Sequence, residues 1–264
     1  MSRLLPIVLL VVFVCGLLLW PLCAGIDAYK MNVQEALRPP SRHHWFGTDV
    51  YGRDIFARTV VGARTTLGIS ATAVFMGIII GLPLGLVPLF SPALLRELLR
   101  RFTDLMLAWP GLFLALALMG VLGPGERNLV IALGVVRAPR LAILLYNTGR
   151  QMMAQDFIDA AKAAGAGSWR IAYKHVLPNL VPTLIPQFVF QLGSAITAET
   201  ALSFLGVGVL PPKPSWGNLV ADGKNFLQVA PWISLLPGAF LVVFVLFVNL
   251  SGDVLIDLLT PKRR

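Results

Sequence analysis

Residues Asp156–Asn179, "DFIDAAKAAGAGSWRIAYKHVLPN", form a polar, alanine-rich, net-basic island in a chain that is otherwise almost continuous hydrocarbon. Asp156 to Ala164 has the composition of a short helix, and Gly165-Ala166-Gly167 ends it. Ser168 then caps a second helix that runs to Leu177 and is stopped by Pro178. Two short helices meeting at a glycine elbow carry small side chains, Ala160, Ala161, Ala163 and Ala164, past which another surface can approach the backbone. Composition alone leaves a solvated loop as an equal alternative.

The rest of the chain says where this island sits. Of 264 residues, 56% are hydrophobic and 13% charged, with a mean hydropathy of +0.76. Soluble domains are roughly a quarter charged, and runs of about twenty apolar residues mark bilayer-spanning helices. Six such runs are read, at roughly 4–25, 65–90, 103–122, 128–147, 180–207 and 231–251. The expected class is an all-α integral membrane protein of six transmembrane helices, retaining its first run as an anchor rather than losing it as a signal peptide. Cys15 and Cys23 lie in that run and read as apolar packing. The basic balance of the chain reads as topology-setting and lipid-facing charge, not nucleic-acid binding. Arginines and lysines concentrate at Arg96–Arg101, Arg137–Lys174 and Lys262–Arg264, which places both termini and the island in the cytoplasm.

Two outer segments follow from that topology. In the first, Gly47-Thr48-Asp49 reads as a turn and helix cap, with an amphipathic helix entering the membrane from Asp54 onward past Arg53, Arg58 and Arg64. His43 and His44 have Asp49 and Asp54 nearby, but adjacent histidines do not share a metal from a regular element, so an interfacial "HHW" is expected. In the second, prolines 211, 212, 214 and 231 exclude a straight helix and leave a folded loop capping the outer mouth, or a merely solvated one. Trp216 and Trp232 are expected at headgroup level. Glu199 is the in-membrane acid, and lining the substrate pathway and pairing structurally are both open to it.

The spacing in the island is specific. Asp159-Ala160-Ala161, three residues, Gly165, nine residues, then His175-Val176-Leu177-Pro178 resembles the EAA motif of ABC-importer permeases, E-A-A, three residues, G, nine residues, I-x-L-P. Asp159 stands for the glutamate and His175 for the isoleucine. "HWFGTDVYGRDIFARTVVGARTTL", "ETALSFLGVGVLPPKPSWGN" and "GDVLIDLLTPKRR" are similar to further segments of the C-type permeases of dipeptide, oligopeptide and nickel importers. The chain departs from that pattern at Ile143 and Tyr146, where arginines are common, and at Thr260, where an aspartate is.

The resemblance implies a type I ABC-importer permease fold. Residues 1–62 would form an N-terminal span plus outer amphipathic segment, and 63–264 a five-span core with its ATPase-coupling segment at 150–179. It implies that Asp159, Ala160, Ala161, Gly165, Leu177 and Pro178 couple to ATPases. It also implies a second, B-type permease, two ABC ATPase subunits that bind the ATP and Mg, and an extracytoplasmic substrate-binding protein. The cell location implied is the bacterial inner membrane. Peptides are the expected substrate, with nickel, glutathione and other small solutes as alternatives. The chain carries no G-x-x-x-x-G-K-[ST] loop, no H-E-x-x-H and no G-x-S-x-G, so neither catalysis nor a cofactor of its own is expected. Asp253 and Asp257 read as tail anchoring rather than an aspartyl dyad. A secondary transporter would show paired broken helices in two halves, and no such repeat is seen.

Overall fold

The computed structural model describes residues 7, 8, 10–16 and 27–259, and the described residues are helical apart from their loops and one isolated β-bridge, Thr48 with Asp54. Most of the first apolar run, Cys23 and the residues from Thr260 lie outside them. The elements are α1 Ile55–Phe90, α2 Ala93–Leu107, α3 Gly111–Leu122, α4 Glu126–Met153, α5 Asp156–Ala163, α6 Ser168–Ile171, α7 Leu177–Phe204, α8 Trp216–Gly223 and α9 Trp232–Leu259. Among the described residues four helical stretches are long and apolar enough to cross a membrane, Ile55–Phe90, Glu126–Met153, Ser168–Phe204 and Trp232–Leu258, and α2 with α3 adds a fifth if the pair counts as one.

They do not form the straight span expected at 103–122. The two helices meet at 93°, because Pro110 removes a backbone donor and forces Trp109 out of the helical region. The break occurs at Ala108-Trp109-Pro110.

The central pair is α1 against α4. In hydrocarbon, helices gain little from hiding apolar surface from each other and associate through close packing of small residues. Gly77, Gly81 and Gly85 form such a stripe on α1, one turn apart. A Cβ at Gly81 would lie 2.9 Å from the Ala138 carbonyl, and one at Gly85 2.6 Å from that of Ala142. The backbones therefore touch where any side chain would separate them.

The start of α1 is set by Asp54, whose side chain accepts the Ala57 N–H at 2.7 Å. Asp49, expected as a helix cap, closes the preceding turn instead. It accepts the backbone N–H of Tyr51 and Arg53 and pairs with Arg53 Nε at 2.6 Å. Arg58 is buried beside it and reaches Asp222 of α8 at 3.9 Å. His44 is held between two carboxylates, Asp54 at 2.8 Å and Glu35 at 3.5 Å, while His43 is exposed.

The proline-rich outer segment is folded and carries a helix. Ser215 and Asn218 cap α8 reciprocally, as short helices require when their first N–H groups are otherwise unpaired. Trp216 is not at a headgroup surface: it is fully buried, with Nε1 donating to Thr59 O at 3.0 Å and its ring against Phe240 and Phe244. Trp232 is half-buried and donates to Thr48 O.

Candidate functional site

The island folds as an elbow. Helix α5 ends in a Schellman arrangement, with the Ala166 N–H on Ala161 O at 3.0 Å and the Gly165 N–H on Lys162 O at 2.9 Å. This closure needs a left-handed residue, and Gly165 supplies it with φ +79°. A side chain there would meet nothing within 4 Å, so the elbow is open to its surroundings.

One side chain fixes the helix from behind. Ile158 is fully buried and joins Leu141 and Leu145 of α4, Ile171 of α6 and Leu180 of α7 in a single apolar cluster. Asp159, Ala160, Ala163 and Ala164 face outward, with Asp159 paired to Lys162 at 2.8 Å. Ala161 does not share that face; it is buried at 9% exposure. The small-residue surface is therefore Ala160, Ala163 and Ala164.

Pro178 does not stop the second helix. Gly167, not Ser168, occupies the cap position, and the chain continues from Ser168 through a widened π turn, Ala172–Val176, into α7. Proline lacks the N–H an α-helix uses and its ring crowds the preceding turn, so the extra residue in that turn relieves the crowding. The Asn179 amide donates to His175 O at 2.6 Å, satisfying one carbonyl of the widened turn. Leu177 is half-buried and Pro178 exposed where α7 begins. Both belong to the helix root rather than to the outward face of α5.

The second candidate region is a cavity of about 1110 Å³ between the α2–α3 bend, α4 and α7. Met106, Leu107, Trp109 and Leu112 form its apolar wall. Arg137 and Arg140 line it from α4, and Gln187, Gln191, Ser194 and Thr197 from α7, with no Asp or Glu in the lining. Arg137 lies eleven residues into α4, roughly 16 Å along it at 1.5 Å per residue. It is buried, its Nη1 makes a long 3.4 Å contact to Leu133 O, its Nε has no partner, and it pairs with no carboxylate among the described residues. A guanidinium at a span centre costs about 2.5–3.5 kcal/mol on insertion, so such groups face cavities or partners. Read from sequence, both arginines were topology-setting charges. Their spacing of three inside an apolar run, which puts both on one helical face, was the available signal.

Glu199 is not in that lining. It sits roughly 150° round α7 from the cavity-facing Ser194, Thr197, Ala198 and Ala201, at 100° per residue. It is fully buried. Ser203 Oγ donates to its Oε1 at 2.7 Å, and the hydroxyls of Thr66, Ser215 and Thr200 also hydrogen-bond its carboxyl group. Three of these hydroxyls also accept a backbone N–H: Ser203 from Val209 at 3.2 Å, Thr66 from Trp216 at 3.2 Å and Ser215 from Asn218 at 3.3 Å. The carboxyl group thus gathers the loop after α7, the start of α8 and the wall of α1 onto one point.

The fold has a known counterpart. The permease of the MetNI methionine ABC transporter in an inward facing conformation superposes with a TM-score of 0.65 over 77% of this chain and 97% of that one, at 20% identity. Among curated proteins, the dipeptide transport system permease protein DppC of Alkalihalophilus pseudofirmus is 39% identical over 92% of this chain and 80% of its own length. The di/tripeptide permease DppC of Pseudomonas aeruginosa is 39% identical over 97% and 86%. The glutathione permease GsiD of Escherichia coli is 38% identical over 84% and 74%. The family model for the binding-protein-dependent transport system inner membrane component matches residues 73–264. An apolar helical bundle with an outward-facing capped elbow and a cavity between its long helices is therefore no isolated design: the chain belongs to the inner membrane components of binding-protein-dependent transport systems.

Proposed function

We propose that this chain is one half of the translocation pathway of an ATP-driven peptide importer. In this reading a B-type permease supplies the other half, two ABC ATPase subunits dock on the cytoplasmic helices of the two permeases, α5 being this chain's, and an extracytoplasmic binding protein delivers substrate. The observation that carries it is the elbow: α5 presents Ala160, Ala163, Ala164 and an open Gly165 outward while Ile158 ties it to both α4 and α7. A rigid tip of this kind transmits a partner's movement to the spans. ATP and Mg belong to the partner ATPases, and this chain is non-catalytic. The coupling residues are Asp159, Ala160, Gly165 and, through the helix root, Leu177 and Pro178, with Ala161 packing α5 against the bundle. Residues 1–62 serve as the anchor and outer segment of a core formed by 63–264, with both termini in the cytoplasm.

Peptides are the substrate class that the relatives' names and the cavity chemistry favour together. Two arginines without an acid suit a carboxylate-bearing solute and repel a bare divalent cation. Glutathione, itself a peptide with two carboxylates, fits the same lining.

The test is retention of the ATPases. Gly165→Glu costs about 1–2 kcal/mol of left-handed strain, too little to unfold a spanning bundle, and it puts a charge on the docking face. The variant is expected to insert and pair with the second permease, yet to lose ATPase subunits on purification or lose substrate-stimulated hydrolysis. Ala160→Arg should do the same, and Arg42→Ala, on an exposed loop at the other end, should do neither. Normal ATPase retention and transport in both elbow variants would overturn the docking assignment.

A further inference from the structure

We infer that Arg137 is a carboxylate-binding residue of the translocation cavity, holding the C-terminal carboxylate of a peptide in transit. The inference rests on the peptide-import reading and adds to it a residue and a polarity of binding. Arg137 is buried in the wall of the cavity, and among the described residues its Nε has no hydrogen-bond partner and its guanidinium makes one stretched polar contact, to Leu133 O. A guanidinium is planar and offers paired N–H donors that match the two oxygens of a carboxylate. Arg140, exposed in the same cavity, adds a second positive charge.

The rest of the lining agrees with a peptide lying along α7. Gln187 and Gln191, one helical turn apart, present amides able to donate to and accept from a peptide backbone, and Ser194 and Thr197 are exposed beyond them. The apolar wall of the α2–α3 bend faces them. With no acid in the lining, this chain holds the carboxylate end and leaves the ammonium end to the other half of the pathway.

Gly77 of the α1 stripe lies beside the root of Arg137. A Cβ at Gly77 would come 3.2 Å from the Cβ of Arg137, so the absence of one lets α1 pack closely at the root of this side chain, which lines the cavity. The site is therefore built by the packing of α1 on α4 and not by a mobile surface charge.

The experiment uses the complete transporter, purified with native cysteines replaced and Ser194→Cys introduced. Dialanine is expected to slow alkylation of that cysteine at least threefold in the absence of binding protein, and dialanine amide is expected not to. In an Arg137→Gln background neither should protect, whereas Arg137→Lys should keep part of the protection. In proteoliposomes with loaded binding protein, Arg137→Gln should cut dialanine uptake at least tenfold while the purified complex keeps its second permease and its ATPase subunits.

Equal protection by acid and amide, or none by either in the unmutated background, would overturn the inference, as would wild-type uptake in Arg137→Gln. Loss of the second permease from Arg137→Gln and Arg137→Lys alike would assign the residue to an inter-subunit ion pair and overturn it too. Failure of the unmutated transporter to take up dialanine at all would sink the peptide reading itself, a distinct result.

Discussion

Ser203 donates a hydrogen bond to Glu199 Oε1 at 2.7 Å and through the same oxygen accepts the Val209 N–H at 3.2 Å. The pair lies one turn apart on α7, yet it anchors a loop that has already left the helix. Thr66 and Ser215 repeat the arrangement from two other elements. A buried carboxyl group among hydroxyls, three of which also serve a backbone N–H, has the geometry of a structural junction, the second of the two roles the sequence left open for Glu199.

Removing the junction should therefore cost stability before it costs transport chemistry. Glu199→Ala leaves several buried hydroxyls without an acceptor, at roughly 1–3 kcal/mol for each buried group left unpaired. A lowered thermal midpoint of the purified subunit is expected, with loosening of the α8 segment on proteolysis. Glu199→Gln keeps one acceptor oxygen and should fall between wild type and alanine. An unchanged midpoint with abolished uptake would return the residue to the pathway.

Close approach of α1 and α4 gives a second expectation. Gly81→Ala places a methyl group 2.9 Å from the Ala138 carbonyl, and overpacking of this kind costs about 1–3 kcal/mol. Gly68→Ala on the same helix meets nothing within 4 Å and should be neutral or slightly stabilising through helix propensity. Thermal midpoints in detergent compare the two directly, and equal values would mean the helices separate freely.

Orientation is checked by reporter fusions. Sites after Arg101 and Lys174 should report cytoplasm, and sites near Arg42 and Lys213 the opposite side, given the concentration of basic residues in the short loops. An external signal at Lys174 would remove the ATPase from reach of α5.

The features that were legible in the sequence are local ones. Glycine at 165 announced a left-handed closure because few other residues tolerate that backbone, and the alanines around it announced an uncluttered face. Trp216 was misread because an indole beside prolines in an outer loop has the composition of a headgroup anchor. Only the approach of Thr59 and Phe244 from distant parts of the chain makes it a core residue. Pro178 was misread for a related reason: a proline stops a helix unless the preceding turn widens, and the π turn at Ala172–Val176 appears only in three dimensions. The break at Trp109-Pro110 was, by contrast, written in the sequence and was masked by the apolar residues on either side.

Ile158 ties α5 to two long helices at once. Its contacts with Leu141 and Leu145 on one long helix and Leu180 on another make α5 a yoke rather than a handle. A force applied at the elbow is shared between two beams that form facing walls of one chamber. The second beam is rooted in the widened turn, while the first is packed along its length against α1 through glycines, so the two supports are unequal. Were a partner ATPase to load the elbow as proposed, unequal supports would tilt one wall against the other, and the chamber would change its taper along the axis instead of merely its width.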